Sequence, residues 1–252
     1  MEISQYGVLA SCAAMLIGMS KGGLPLVSMM SVPLLSLVMS PVKAAVLLLP
    51  LYIISDAVGV WLYRRNYSAI NLKILVPAGL AGVLIGWLTA SMISDLAIKF
   101  ILGLIGVSFC LQTWFKRGQD NGALPAAVPK GLFWGALAGF TSFIAHAGGP
   151  PFQVFALPQK LPKAEFAGTA TILFAVINLA KIGPYQNLSP YSFEDLKQVA
   201  SLVPFALLGT FAGAYLTKRI ADAWFFKLVQ TGLFLVSLKL IWDSMLGQAI
   251  DF

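Results

Sequence analysis

Long stretches of this chain carry no ionisable side chain, and that feature decides what it can fold into. Residues 3–20, 22–42, 74–94, 100–115, 131–159, 166–180 and 198–217 contain no Asp, Glu, Lys or Arg. Residues 44–63 contain one, Asp56, and residues 228–242 contain one, Lys239. Crossing the hydrocarbon of a bilayer takes about 20 apolar residues as a helix, and most of these runs approach that length. The connections between them are short, so no stretch is left for a soluble domain. The sequence predicts a single membrane domain over residues 1–252.

A water-soluble fold is excluded by composition. The chain is 58% hydrophobic and 11% charged, whereas soluble domains carry about 25% charged residues and must turn much of their surface to water. A membrane barrel is excluded by pattern. Its strands are about 10 residues long and alternate apolar with polar positions, while these runs are longer and apolar on every side. The first run lacks the basic start of a cleavable signal peptide, because the first Lys or Arg is Lys21. Cys12 and Cys110 have no metal-like or redox spacing and read as small core residues. The net charge of +7 suits a membrane protein with basic cytoplasmic loops better than a nucleic-acid binder.

The chain resembles itself. Leu75-Val76-Pro77, Gly82, Gly86 and Asp95 recur as Leu202-Val203-Pro204, Gly209, Gly213 and Asp222, each at an offset of 127. Gly22-Gly23-Leu24-Pro25 recurs as Gly148-Gly149-Pro150-Pro151 at an offset of 126. Residues 1–115 and 130–245 therefore read as an internal duplication.

Basic residues orient the copies. Arg64, Arg65 and Lys73, then Lys116, Arg117 and Lys130, then Lys160 and Lys163, then Lys218, Arg219 and Lys227 all fall between hydrophobic elements. The positive-inside rule puts them in the cytoplasm. Helix 41–63 then runs inward, 73–94 outward, 98–115 inward, 165–182 outward, 197–217 inward and 226–243 outward. The helix at 73–94 has its basic end first and its counterpart at 197–217 has it last, so the repeats are inverted. Inversion needs an odd number of crossings per half. The remaining elements, 5–40 and 130–160, must return to their starting side. The expected fold is all-α integral membrane: two inverted repeats, each a re-entrant or broken-helix hairpin plus three transmembrane helices. The hairpin arms are expected to run about 10 to 16 residues, short for a full span. Both termini are expected outside.

Interrupted segments at matching places in inverted repeats point to a transporter's binding site. The first tip reads Gly18-Met19-Ser20-Lys21-Gly22-Gly23-Leu24-Pro25. Its glycines allow a sharp reversal, and Pro25 is preset to open a helix near Leu24 whose N–H groups favour an anion. A Lys at the bilayer centre costs roughly 2.5–3.5 kcal/mol on insertion scales, so Lys21 needs a partner or a wet cavity; the structural alternative is snorkelling to the interface. The second tip reads His146-Ala147-Gly148-Gly149-Pro150-Pro151, and His146 is the single histidine. It could donate to an anion or carry a proton. Asp56 is an intramembrane carboxylate suited to pairing with Lys21 or to taking a proton. Thr169, Asn178 and Lys181 form one stripe after the second hairpin, and Asn178 falls roughly where Asp56 falls in the other half. Lys181 and Lys239 also suit snorkelling at a helix end. The substrate-binding set expected is thus Ser20, Lys21, Gly22, Gly23, His146, Gly148, Gly149, Thr169, Asn178 and Lys181, with Asp56 as charge or proton partner and no catalytic or metal-binding residue.

These residues are similar to the TauE/SafE sulfite exporters, also called toluene sulfonate uptake permeases. The resemblance covers essentially the whole chain. It rests on Gly18-x-Ser20-Lys21-Gly22-Gly23-Leu24-Pro25, Pro50 with Asp56 and Tyr63-Arg64, Gly139-Phe140-Thr141-Ser142, Gly148-Gly149-Pro150-Pro151, and Thr169, Asn178, Lys181 and Tyr185. It implies a plasma-membrane carrier for sulfur-containing anions such as sulfite or sulfoacetate. The expectation is a secondary transporter, an exporter of such an anion or a related organosulfonate. The rival classes are an anion channel and an intramembrane enzyme or assembly factor, which would have to rest on Asp56 and His146 alone. No nucleotide motif, cofactor or nucleic-acid partner is expected. Coupling would be to a proton or to the membrane potential. The partners expected are the bilayer and a small anion, and a homodimer is the candidate oligomer.

Overall fold

The structure is a computed structural model that describes residues 2–24, 27–35, 38–39, 41–89, 95–115 and 122–250. Every regular element among the described residues is helical: α1 Glu2–Lys21, α2 Ser31–Leu35, α3 Pro41–Tyr63, α4 Ala69–Thr89, α5 Asp95–Phe115, α6 Val128–Ala145, α7 Gly149–Ala156, α8 Lys163–Ala180, α9 Ile182–Leu188, α10 Phe193–Arg219 and α11 Asp222–Ile250. Short 3-10 turns at Val27–Met30 and Leu157–Gln159 adjoin α2 and α7. Among the described residues, five helices are long and apolar enough to cross a membrane, namely those in α3, α4, α8, α10 and α11. Pro25, Lys116, Arg117 and residues 90–94 at the end of the expected helix 73–94 lie outside the described residues.

The hairpins differ from expectation in their arms. The first arms are long, 20 residues in α1 and 18 in α6, which is about 30 Å and 27 Å of helix. The return arms are short: four residues of 3-10 turn and five of α2 in one case, the eight of α7 and a three-residue turn in the other. An apolar run alone does not show where glycine and proline break it into unequal pieces. The exposed cysteine is another difference. Cys110 is buried, but Cys12 is on the outer face of α1, where a lipid-facing surface is as apolar as a core and sequence cannot tell them apart.

The two halves pack across each other. α1 lies along α10 and α6 along α4, α5 pairs with α11, and α3 pairs with α8 at the centre. Two of these seams are built on glycine. Gly18 of α1 and Gly22 just after it press on the backbone of α10 around Ala206, Thr210 and Gly213. Gly209 and Gly213 of α10 press on that of Met15 and Met19, Gly139 of α6 meets Gly79 of α4, and Gly82 of α4 meets Ala136 of α6. A Cβ on Gly18 would stand 1.9 Å from Ala206 O, and one on Gly82 1.9 Å from Ala136 O. Neither distance is physical, so backbone meets backbone directly. Each helix of these two pairs carries a Gly-x-x-x-Gly pair, the spacing that lets apolar helices approach closely in lipid.

Proline shapes the centre. Pro50 sits inside α3 and has no N–H to give Val46 O. The Tyr191 hydroxyl donates to that carbonyl at 2.8 Å. Burial and the nearby Asp195 push the Tyr191 pKa up to about 12, so the hydroxyl keeps its proton for this bond at physiological pH. The neighbouring carbonyl, Ala45 O, lies 3.2 Å from His146 Nε2. One proline thus frees a carbonyl of α3 beside the point at which His146 of the second tip meets that helix.

Candidate functional site

Both tips are turns with a left-handed residue. α1 ends in paired bonds, Leu24 N–H to Met19 O at 3.3 Å and Gly23 N–H to Ser20 O at 3.2 Å, with Gly23 at φ +117°. This is the Schellman termination that glycine favours. The Tyr63 hydroxyl fastens it by donating to Gly22 O at 2.6 Å. α6 ends on His146 at φ 49°, a conformation few residues other than glycine adopt. Keeping a side chain under such backbone strain points to a use for it. The Tyr185 hydroxyl fastens this tip by donating to Phe143 O at 2.6 Å.

Between the tips lies a cavity lined by Ser20, Lys21, Tyr52, His146, Phe174 and Asn178, with Ser28, Met29, Ser142, Gly148 and Gly149 completing the wall. The space open to the centre of a water molecule is about 20 Å³, room for about one water. Lys21 is 4% exposed and Asp56 3%, and Lys21 Nζ stands 2.8 Å from Asp56 Oδ1. Asn178 Nδ2 donates to Asp56 Oδ2 at 2.7 Å. Lys181, fully buried, faces Asn178 Oδ1 at 3.1 Å, Ser142 Oγ at 2.8 Å and His146 Nδ1 at 3.4 Å. One continuous polar chain therefore runs Lys21–Asp56–Asn178–Lys181–His146. The rings of Tyr52 and Phe174 stand 5.2 Å and 5.6 Å from the Lys21 ammonium, a range in which an aromatic face attracts a cation. Tyr52 also stacks on His146, with centroids 4.7 Å apart and planes 4° from parallel.

The expected residues separate into three groups. Ser20, Lys21, His146, Gly148, Gly149 and Asn178 line the cavity, and Lys181 and Asp56 join them by direct bonds. Gly22 and Gly23 form the turn behind Lys21. Thr169 lies elsewhere. Its hydroxyl donates to Glu165 O at 2.7 Å and accepts from Ser68 N–H at 2.8 Å, closing the start of α4. It shares a helix with Asn178, but nine residues put it more than two turns away. Snorkelling is overturned for Lys181 by its burial. Lys239 is partly exposed and pairs with Asp243 one turn on. Pro150 and Pro151 occupy the first turn of α7 and have no N–H, so the start of this helix offers few backbone donors.

Tyr52, Phe174, Ser28, Met29 and Ser142 were not singled out as binding residues. A signal for two of them exists. Tyr52 precedes Asp56 by four residues, and Phe174 precedes Asn178 by four, so each shares a helix face with the polar residue. At a common offset of 122, Tyr52, Asp56, Gly59 and Tyr63 match Phe174, Asn178, Lys181 and Tyr185. Both tyrosines fasten a tip and both aromatic rings flank Lys21. The match breaks at Gly59, where a Cβ would stand 2.8 Å from Lys21 O and from Thr171 Cγ2. The first half has no room for a side chain where the second places a lysine.

An all-helical membrane bundle with buried charges gathered at two hairpin tips is a multi-pass transport protein in build. The chain belongs to the TauE/SafE sulfite exporter family, whose model matches residues 7–240. Proteins of this family are sulfite- or sulfonate-type membrane transporters rather than enzymes. No curated protein and no solved structure matches the chain.

Proposed function

We propose that this protein is a secondary carrier that exports a small sulfur-containing anion, such as sulfite or an organosulfonate, across the plasma (inner) membrane, with the Lys21 ammonium as its anion-binding group. The observation that carries the reading is the buried Lys21–Asp56 pair, 2.8 Å apart on the wall of a cavity between two hairpin tips. Asp56 holds the ammonium in the absence of substrate, and the anion takes its place during transport. A buried charge stripped of its partner is costly, so each ligand of Lys21 must be exchanged for another. The narrowness of the cavity favours a carrier, whose walls part to admit the anion, over a continuous pore.

Sulfite, sulfoacetate and thiosulfate should each be tested for raising the unfolding temperature of the purified protein. A binder should then show counterflow in proteoliposomes. An anion that stabilises the protein and exchanges across the membrane supports the reading, whereas stabilisation by none of the three would remove it.

We also propose that residues 1–115 and 130–245 are inverted repeats with both termini outside. The pairings of α1 with α10, of α6 with α4 and of α3 with α8 are those a two-fold relation would produce. The basic loops support the inversion. With Cys12 and Cys110 replaced, a cysteine at Ala123, an exposed residue before α6, should resist an impermeant thiol reagent in intact cells and react once the membrane is opened. Labelling in intact cells would reverse the topology.

A further inference from the structure

Among the described residues the site has two buried lysines and one carboxylate, and each carboxylate oxygen already has a neighbour. Asp56 gives Oδ1 to Lys21 and Oδ2 to Asn178. Among the described residues Lys181 therefore meets no carboxylate directly; its hydrogen-bond neighbours are Ser142, His146 and Asn178. The charged and titratable groups around it are Asp56 and Tyr52 on α3, Lys21 at the end of α1, His146 after α6 and Tyr185 on α9. Of these, the nearest full charge that could offset an ammonium reaches it only through an amide.

The hydrogen-bond directions are fixed by the neighbours. Asn178 turns its Nδ2 to Asp56, so its Oδ1 must accept from Lys181. His146 Nε2 faces Ala45 O at 3.2 Å and the Tyr185 oxygen at 3.4 Å. Tyr185 spends its proton on Phe143 O, so Nε2 carries the hydrogen and Nδ1 has a lone pair for Lys181. Two N–H groups of Lys181 are thus committed. The third direction meets the Ser142 hydroxyl, which can either donate or accept. With a neutral amine, Ser142 donates to the nitrogen lone pair. With an ammonium, it turns and accepts the third N–H. Both protonation states keep a complete set of hydrogen bonds, and only the hydroxyl rotor changes.

We infer that Lys181 is the proton carrier of this transporter: it is neutral in the substrate-free site and takes up a proton together with the anion. Burying an ammonium among neutral dipoles is unfavourable, and an incoming anion removes that penalty. The proton comes from the aqueous side that supplies the anion and leaves with it, so a monovalent anion and its proton cross as a neutral unit. Lys21 cannot serve this way, because Asp56 already balances it.

The inference rests on the anion-carrier reading, and one experiment separates the two. Calorimetric titration of the purified protein with sulfite, in buffers of different ionisation enthalpy, gives the protons taken up per bound anion. The parent should take up about one more proton than Lys181→Met or Lys181→Arg. The difference cancels any proton taken up by sulfite itself. Equal counts in parent and both variants would overturn the inference while leaving the carrier reading intact. An extra proton retained in Lys181→Arg but lost in His146→Gln would overturn it by moving the carrier to the imidazole. Absence of binding of sulfite, sulfoacetate and thiosulfate alike by the folded parent would remove both readings. Lys181→Arg guards against failure of Lys181→Met to fold, since it keeps donors for Asn178 and His146.

Discussion

Replacing Lys21 by Met should weaken anion binding by roughly 10- to 150-fold, the equivalent of about 1.5–3 kcal/mol for a charge-assisted hydrogen bond. Methionine keeps most of the bulk between the Tyr52 and Phe174 rings, 5.2 Å and 5.6 Å from the ammonium, and loses only the charge. It leaves Asp56 bound to Asn178, able to take a proton and become neutral, so the fold should survive. Lys21→Arg should bind poorly as well. A planar fork needs width, and the turn behind Lys21 is pressed against α10, where a Cβ on Gly22 would stand 2.3 Å from Thr210 O. Calorimetry of folded, monodisperse variants measures both. Parent-like affinity in Lys21→Met would move the anion site away from this lysine.

Asp56→Asn should be the more damaging change to stability. It leaves the Lys21 ammonium at 4% exposure without a counter-charge, and breaking a buried pair from one side typically costs 3–5 kcal/mol. Thermal unfolding in detergent should fall by on the order of 10 °C. Removing both charges together, as Lys21→Met with Asp56→Asn, should restore much of that loss, because an uncharged pair has no desolvation to offset. The double variant should still fail to bind the anion. If the two single losses simply add, the residues do not act as a pair.

Much of this site was legible from sequence because charge inside an apolar helix is conspicuous. Lys21, Asp56, His146 and Lys181 each interrupt a long uncharged run or stand beside one, and bilayer energetics leave such residues few places to go. The first turn was legible from its glycines, whereas the second takes its left-handed residue from His146, which glycine spacing does not show. The aromatic walls were not, because Tyr52 and Phe174 look like any other apolar residue in α3 and α8 until the polar chain beside them is seen. Thr169 misled for the converse reason: a hydroxyl on a helix next to a site can equally serve the backbone of its neighbour, as it does for Ser68. The exposure of Cys12 and the unequal hairpin arms depend on which face meets lipid and where a helix breaks. Hydropathy is blind to both.

The glycine seams have a mechanical consequence. Where α1 meets α10, and where α6 meets α4, carbonyls rest against bare Cα atoms with no side chain between them to slide or repack. Each seam behaves as a weld, and each weld joins the long arm of one half's hairpin to a spanning helix of the other half. Any rigid bodies that move in this bundle would then not be the two sequence halves. They would be composite plates drawn from both, α1 with α10 and α6 with α4. A tip could travel only by carrying with it a helix from the other half of the chain.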